Sequence, residues 1–201
     1  MITRIQSGLC ALVLLALIAS GIAPFDRTTW LLEVAPVLIG LPVLAATRRQ
    51  FPLSALLYII IAVHCVVLIA GGAWSYARVP LGFWIQHSFD LSRNPYDKIG
   101  HFMQGVTPSL LMYSFLRRAE RVRGTRLAAI LSICVALAFS ACYELFEWIS
   151  ALLLGQGADE FLGTQGDVWD TQSDMFMALI GASFAMLFLR KWTRCEGIGN
   201  E

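Results

Sequence analysis

The chain has 201 residues, of which 57% belong to the AVILMFWYC set and only 14% are charged, with a formal net charge of +1. A soluble domain typically carries about 25% charged residues, so this chain lacks the polar groups to cover a soluble surface. Its mean hydropathy of +0.66 fits an integral membrane protein, and the near-neutral charge excludes the strongly basic face that a nucleic-acid partner requires.

At about 20 residues per span, the length suffices for six crossings. Apolar stretches predict them at about 6–23, 30–46, 53–73, 100–117, 126–151 and 174–190. The expected fold is a single all-α polytopic domain over residues 1–201. The first stretch ends in Ala19, Ser20, Gly21 and Ala23 before Pro24, as a cleavable signal peptide would. Its long apolar run and lone Arg4 favour a span instead. The second stretch carries Glu33 between Leu32 and Val34, with Pro36 and Pro42 expected to bend the helix. The third holds His64 in mid-span, which reads as a neutral histidine bonded to a neighbouring helix. Residues 74–93 read as a long loop whose Trp74, Tyr76, Phe83 and Trp84 resemble interfacial anchors.

Basic residues set the expected orientation, because short basic loops stay cytoplasmic. Eleven cations fall on one side: Arg4, Arg48, Arg49, Arg117, Arg118, Arg121, Arg123, Arg126, Arg190, Lys191 and Arg194. Arg27, Arg78, Arg93 and Lys98 fall on the other. Both termini are therefore expected in the cytoplasm. The acids run the opposite way. Only Glu120, Glu196 and Glu201 are on the inner side, and the other eleven lie in outer loops or the outer parts of spans. The cysteines (Cys10, Cys65, Cys134, Cys142 and Cys195) form no CxxC pair, and four lie in apolar stretches, where they read as small hydrophobes.

Three outer clusters could carry chemistry. Asp97 and His101 stand at i and i+4 where the fourth span opens, with Gln104 on the same face. Tyr143, Glu144 and Glu147 lie near the outer end of the fifth span, the two acids at i and i+3. Gln165, Asp167, Asp170 and Asp174 lead into the sixth. Alternating topology puts all three at one depth. A carboxylate inside a span costs several kcal/mol and normally faces a partner or a water-filled cavity. Two acids one turn apart repel unless a proton or cation lies between them.

The expected cofactor is a divalent metal ion, held by Asp97, His101, Glu144 and Glu147, with Asp170 or Asp174 as ligand or catalytic base and Tyr143, Gln104, Gln165 and Asp167 lining the pocket. Helix capping competes as an explanation for some of these residues. Asn94, Pro95 and Asp97 suit a helix start, and Thr171-x-x-Asp174 fits a capping box. Such a site suits a membrane-embedded enzyme acting on a lipid or lipid-linked substrate, with membrane lipids as its surroundings. A proton- or cation-coupled transporter and a structural subunit are the alternatives. No GxSxG or HExxH motif is present.

The combined motifs Tyr76-Ala77-x-Val79-Pro80, Ser92-Arg93-Asn94-x-Tyr96-Asp97-x-x-Gly100-His101-Phe102-x-Gln104-Gly105, Tyr143-Glu144-x-x-Glu147-Trp148 and Gly163-Thr164-Gln165-Gly166-Asp167-x-Trp169-Asp170-Thr171-Gln172-x-Asp174-Met175 resemble the YjdF family of bacterial inner-membrane proteins over about residues 5–191. Span four departs from the family pattern, with Tyr113-Ser114-Phe115-Leu116-Arg117 where an acid precedes the terminal arginines. A looser likeness to VanZ-like membrane proteins covers about residues 97–182. The resemblance implies a multi-pass inner-membrane protein and supplies no established reaction.

Overall fold

A computed structural model describes residues 4–119, 122–154 and 164–193. Among them there are seven α-helices and no strand. These are α1 (Arg4–Ile22), α2 (Arg27–Thr47), α3 (Ala55–Trp74), α4 (Pro80–Ser88), α5 (Tyr96–Arg118), α6 (Thr125–Leu154) and α7 (Asp170–Phe184). α7 continues through a π-helical stretch, Ala185–Leu189, and a 3₁₀ turn, Arg190–Thr193. Glu120, Arg121, Gly163, Arg194 and Cys195 lie outside the described residues. Cys10, Cys65, Cys134 and Cys142 are free thiols.

Each predicted span corresponds to a helix, but not every helix is apolar. Five are long and apolar enough to cross a membrane: α1, α2, α3, α6 and α7 with its extension. α5, expected as the fourth span, has the length at 23 residues but not the composition. The reason is its position. α5 packs against α3, α6 and α7, so Asp97, His101, Thr107, Ser109 and Ser114 face protein rather than lipid. Apolar side chains such as Leu15, Ile39, Phe139, Leu153 and Leu187 stay exposed on the outer helices. That pattern suits a lipid solvent and would be a liability in water.

Glycines permit the tightest crossing. A Cβ on Gly105 of α5 would overlap the carbonyl oxygen of Ala178 in α7, and one on Gly181 of α7 would overlap that of Phe102 in α5. Small residues let membrane helices bring their backbones together where apolar burial alone supplies little drive. Below this crossing, Leu57, Ile60, Val106, Leu110, Tyr113, Ala128, Ala129, Ala185 and Met186 form one core cluster. A second, of Val13, Val34, Val37, Ala62, Cys65 and Ile69, joins α1, α2 and α3.

The connections at one end of the bundle are pinned by hydrogen bonds. Phe25 N–H donates to the Ala73 carbonyl at 2.9 Å, and Tyr96 O–H to the Val67 carbonyl at 3.2 Å. Asp26 caps α2 by accepting from Thr29 N–H at 2.7 Å. Segment 74–93, expected as an open loop, contains the short helix α4, with Pro80 in its first turn. Phe83 and Trp84 are exposed as anchors should be, but Tyr76 is not. Its ring is buried in the space that Gly71 and Gly100 leave by lacking side chains.

Candidate functional site

The site lies where the start of α5, the last third of α6 and the start of α7 meet. Its outer rim is a lattice that locks two connections together. Asn94 N–H donates to Gln165 Oε1 at 3.1 Å, and Gln165 Nε2 donates back to the Asn94 carbonyl at 2.9 Å. Asn94 Oδ1 accepts from Tyr96 N–H at 3.0 Å while its Nδ2 donates to the Val79 carbonyl at 3.1 Å. Asn94 therefore caps α5 from outside the helix, and Pro95 rather than Asn94 occupies the boundary position. Gln165 and Gly166 both take positive φ, forming the turn that presents this amide.

Arg93 and Lys98 supply the cations of the rim. Arg93 donates to the Thr164 carbonyl at 2.7 Å, pairs with Asp167 Oδ2 at 3.2 Å and binds Asp170 Oδ1. Burial works against its charge, but the Asp170 hydrogen bond and the Asp170 and Asp167 carboxylates outweigh burial and hold the guanidinium above its usual range. Lys98 Nζ reaches Asp170 Oδ1 at 2.9 Å, Ser173 Oγ at 2.7 Å and Asp174 Oδ1 at 2.7 Å. These bonds explain why α7 begins at Asp170, four residues before the expected start. They also place Asp174 one turn inside the helix, facing Lys98 instead of closing a capping box with Thr171.

Beneath this rim is the imidazole. His101 Nε2 lies 3.4 Å from Asp97 Oδ1 and 3.9 Å from Asp174 Oδ2. Its Nδ1 lies 3.0 Å from Gln104 Oε1 and 3.7 Å from Glu144 Oε1. An amide oxygen only accepts, so Nδ1 carries the hydrogen in the Gln104 pairing. His101 Nε2 is thus set between two carboxylates, the place of a metal-binding nitrogen in a histidine whose other nitrogen has an outer partner. One ligand atom from each of Asp97, His101 and Asp174 falls within 4.8 Å of the others. Glu144 Oε1 is buried with no hydrogen-bond partner among the described residues.

Further in, a small cavity of about 20 Å³, the size of a single water or ion, is lined by residues including Glu33, His64, Tyr76, Asp97, His101, Gln104, Tyr143 and Glu147. Tyr143 O–H donates to Glu33 Oε2 at 3.1 Å, so Tyr143 faces α2, and its ring meets His101 edge-on at 6.3 Å. Burial raises the Tyr76 phenol well above its usual range, with the Glu33 carboxylate adding to the effect, and keeps it neutral at the cavity wall.

The expected residues thus separate by depth. Asp97, His101, Gln104, Glu144, Glu147, Tyr143 and Asp174 converge. Asp170 is engaged by Arg93 and Lys98, and Gln165 and Asp167 belong to the rim. From sequence, Glu33 is a weaker candidate facing the same outer cavity, where it indeed lies, while His64 reads as a neutral histidine bonded to a neighbouring helix, Tyr76 as an interfacial anchor, and Arg93 and Lys98 only as topology signals. The available signals were an acid flanked by Leu32 and Val34, and the Gly71, Gly72 and Gly100 positions that admit Tyr76 and Glu33.

Residues 5–194 match the family described as "Predicted membrane protein (DUF2238)". The chain is 54% identical over 178 residues to the "Inner membrane protein YjdF" of Escherichia coli (strain K12), spanning 89% of this chain and 85% of that one. No solved structure matches. With its several long apolar helices, the protein is a multi-pass protein of the inner membrane.

Proposed function

The chain belongs to this family of membrane proteins, and from that premise we propose that it is a membrane-embedded, metal-dependent enzyme acting on a lipid or lipid-linked substrate. The observation that carries the reading is the place of His101 Nε2, set between Asp97 and Asp174 while Gln104 Oε1 meets Nδ1. Donors of this kind, carboxylate oxygens with one imidazole, suit Mg²⁺, Mn²⁺, Fe²⁺ or Zn²⁺. Glu144 Oε1 lies outside this group and adds a carboxylate from α6 beside Nδ1 of the same ring, at 3.7 Å. A bound divalent ion would supply Lewis-acid polarisation of a phosphoryl or carbonyl oxygen, or an activated water.

Roles differ for the two acids of α7. Asp174, with Oδ2 toward His101, serves as ligand or base. Asp170, held by Arg93 and Lys98, keeps the site's outer edge closed. We read six spans with both termini cytoplasmic, α5 being the central one; the eleven-to-four division of cations supports this. The site then opens toward the periplasmic leaflet.

One observation favours a second reading. The cavity beside His101 is ion-sized and lined by acids, which suits a bound cation or proton in a coupled transporter. Metal analysis of the purified protein, followed by assay in vesicles made from bacterial lipid extract, separates the two. The enzyme reading expects stoichiometric metal and metal-dependent conversion of a lipid component, both lost in His101→Ala. Cation-dependent uptake without lipid conversion would favour transport, and a folded protein free of metal would contradict the metal reading.

A further inference from the structure

The cavity beside the proposed metal site contains acids that the site does not use. Glu33 reaches it from α2 and is only 2% exposed; its backbone neighbourhood is open because Gly72 of α3 has no side chain, and a Cβ there would come within 3.2 Å of the Glu33 Cβ. Tyr143 fixes one Glu33 oxygen, Oε2, and no donor among the described residues reaches the other. Glu147 reaches the cavity from α6, one turn beyond Glu144. It is 8% exposed and has no hydrogen-bond or ion-pair partner among the described residues. Asp97 and His101 line this cavity and also belong to the group with Asp174.

Three carboxylates therefore border one ion-sized space. The fixed cations of the rim, Arg93 and Lys98, are committed to Asp167, Asp170 and Asp174. Among the described residues, the basic groups lining the space are the His64 and His101 rings. Buried like charges without a counter-ion are not tolerated; a cation or protons must compensate them. Oxygen-only donors of this kind prefer a hard divalent ion.

We propose that this cavity is a second cation site, in which Glu33 and Glu147 bind a hard divalent ion with Asp97 shared between the two positions. It rests on the reading of Asp97, His101 and Asp174 as the first metal site, and makes the centre a two-metal one, the arrangement that clamps both the attacking and the leaving oxygen of a displaced phosphoryl group.

Titration of the detergent-purified full chain with Mn²⁺, followed by electron paramagnetic resonance of the free ion, tests it. The expected result is two equivalents in the wild type. Glu33→Gln and Glu147→Gln, which keep shape and polarity, each lose one, and Asp174→Asn loses the other. Combining Glu147→Gln with Asp174→Asn removes both. One equivalent in the wild type, unchanged in Glu33→Gln and Glu147→Gln but lost in Asp174→Asn, overturns the second site and leaves the first. No bound Mn²⁺ in the folded wild type overturns both.

Discussion

Lys98 Nζ lies 2.7 Å from Asp174 Oδ1, while the other oxygen of the same carboxylate faces His101 Nε2 at 3.9 Å. One acid from α7 is therefore shared between a permanent cation at the rim and the imidazole beneath it. Removing one member of a buried ion pair leaves an uncompensated charge and costs about 3–5 kcal/mol. Lys98→Met should accordingly lower thermal stability in detergent sharply. Lys98→Met combined with Asp174→Asn should cost less than Lys98→Met alone, because no charge is then left unpaired.

The crossing of α5 and α7 depends on two glycines. Gly105→Ala and Gly181→Ala each force a methyl group into the backbone of the facing helix. Overpacking of this kind typically costs about 1–3 kcal/mol. Each variant should melt earlier than the wild type, and metal affinity should fall with it, because α5 carries Asp97 and His101 and α7 carries Asp174. Gly8, with open space around it, is the control: Gly8→Ala should leave both unchanged.

Asp26 gives a pH dependence with a definite sign. Its hydrogen bonds, chiefly from the Thr29 N–H, hold the carboxyl below its usual value, so the folded state favours the ionised form. That stabilisation is present above the unfolded value of about 3.9 and is lost as pH falls through the lower folded value. Asp26→Ala should cost about 1 kcal/mol at neutral pH. Asp26→Asn retains the cap and should remove this residue's contribution to acid sensitivity. Melting curves at neutral and acidic pH distinguish the two.

How far such features can be read before folding depends on whether they are local. The apolar stretches are local, and so are the i, i+4 pair Asp97–His101 and the i, i+3 pair Glu144–Glu147, so the helices and the residues that share a face follow from spacing alone. Tyr76 follows a different logic. An aromatic in an interhelical segment looks like an interfacial anchor, and only the gap left by Gly71 and Gly100, far apart in sequence, turns it inward. Arg93 and Lys98 likewise count as topology signals until Thr164, Asp167, Asp170 and Asp174 are brought to them from about 70 residues away. α5 is the sharpest case. Its sequence is polar where neighbouring helices, rather than lipid, cover it.

Tyr143→Phe isolates the bond between α6 and α2. Loss of the hydroxyl removes the only hydrogen bond to Glu33 among the described residues and should cost about 1 kcal/mol of stability, with more if the acid is left ionised and buried. Glu33→Gln leaves an acceptor for the same hydroxyl and should be milder. Thermal melts of both variants, with the double variant to complete the cycle, check the coupling.

X-ray absorption at the zinc edge, on protein loaded with a single equivalent of Zn²⁺, tests the metal centre most directly. The prediction is a shell of oxygen and nitrogen at about 2.0–2.2 Å that includes one imidazole, whose signature vanishes in His101→Ala and survives in His64→Ala and His87→Ala. A sulfur-dominated shell, or an imidazole signature that persists in His101→Ala, would contradict the account.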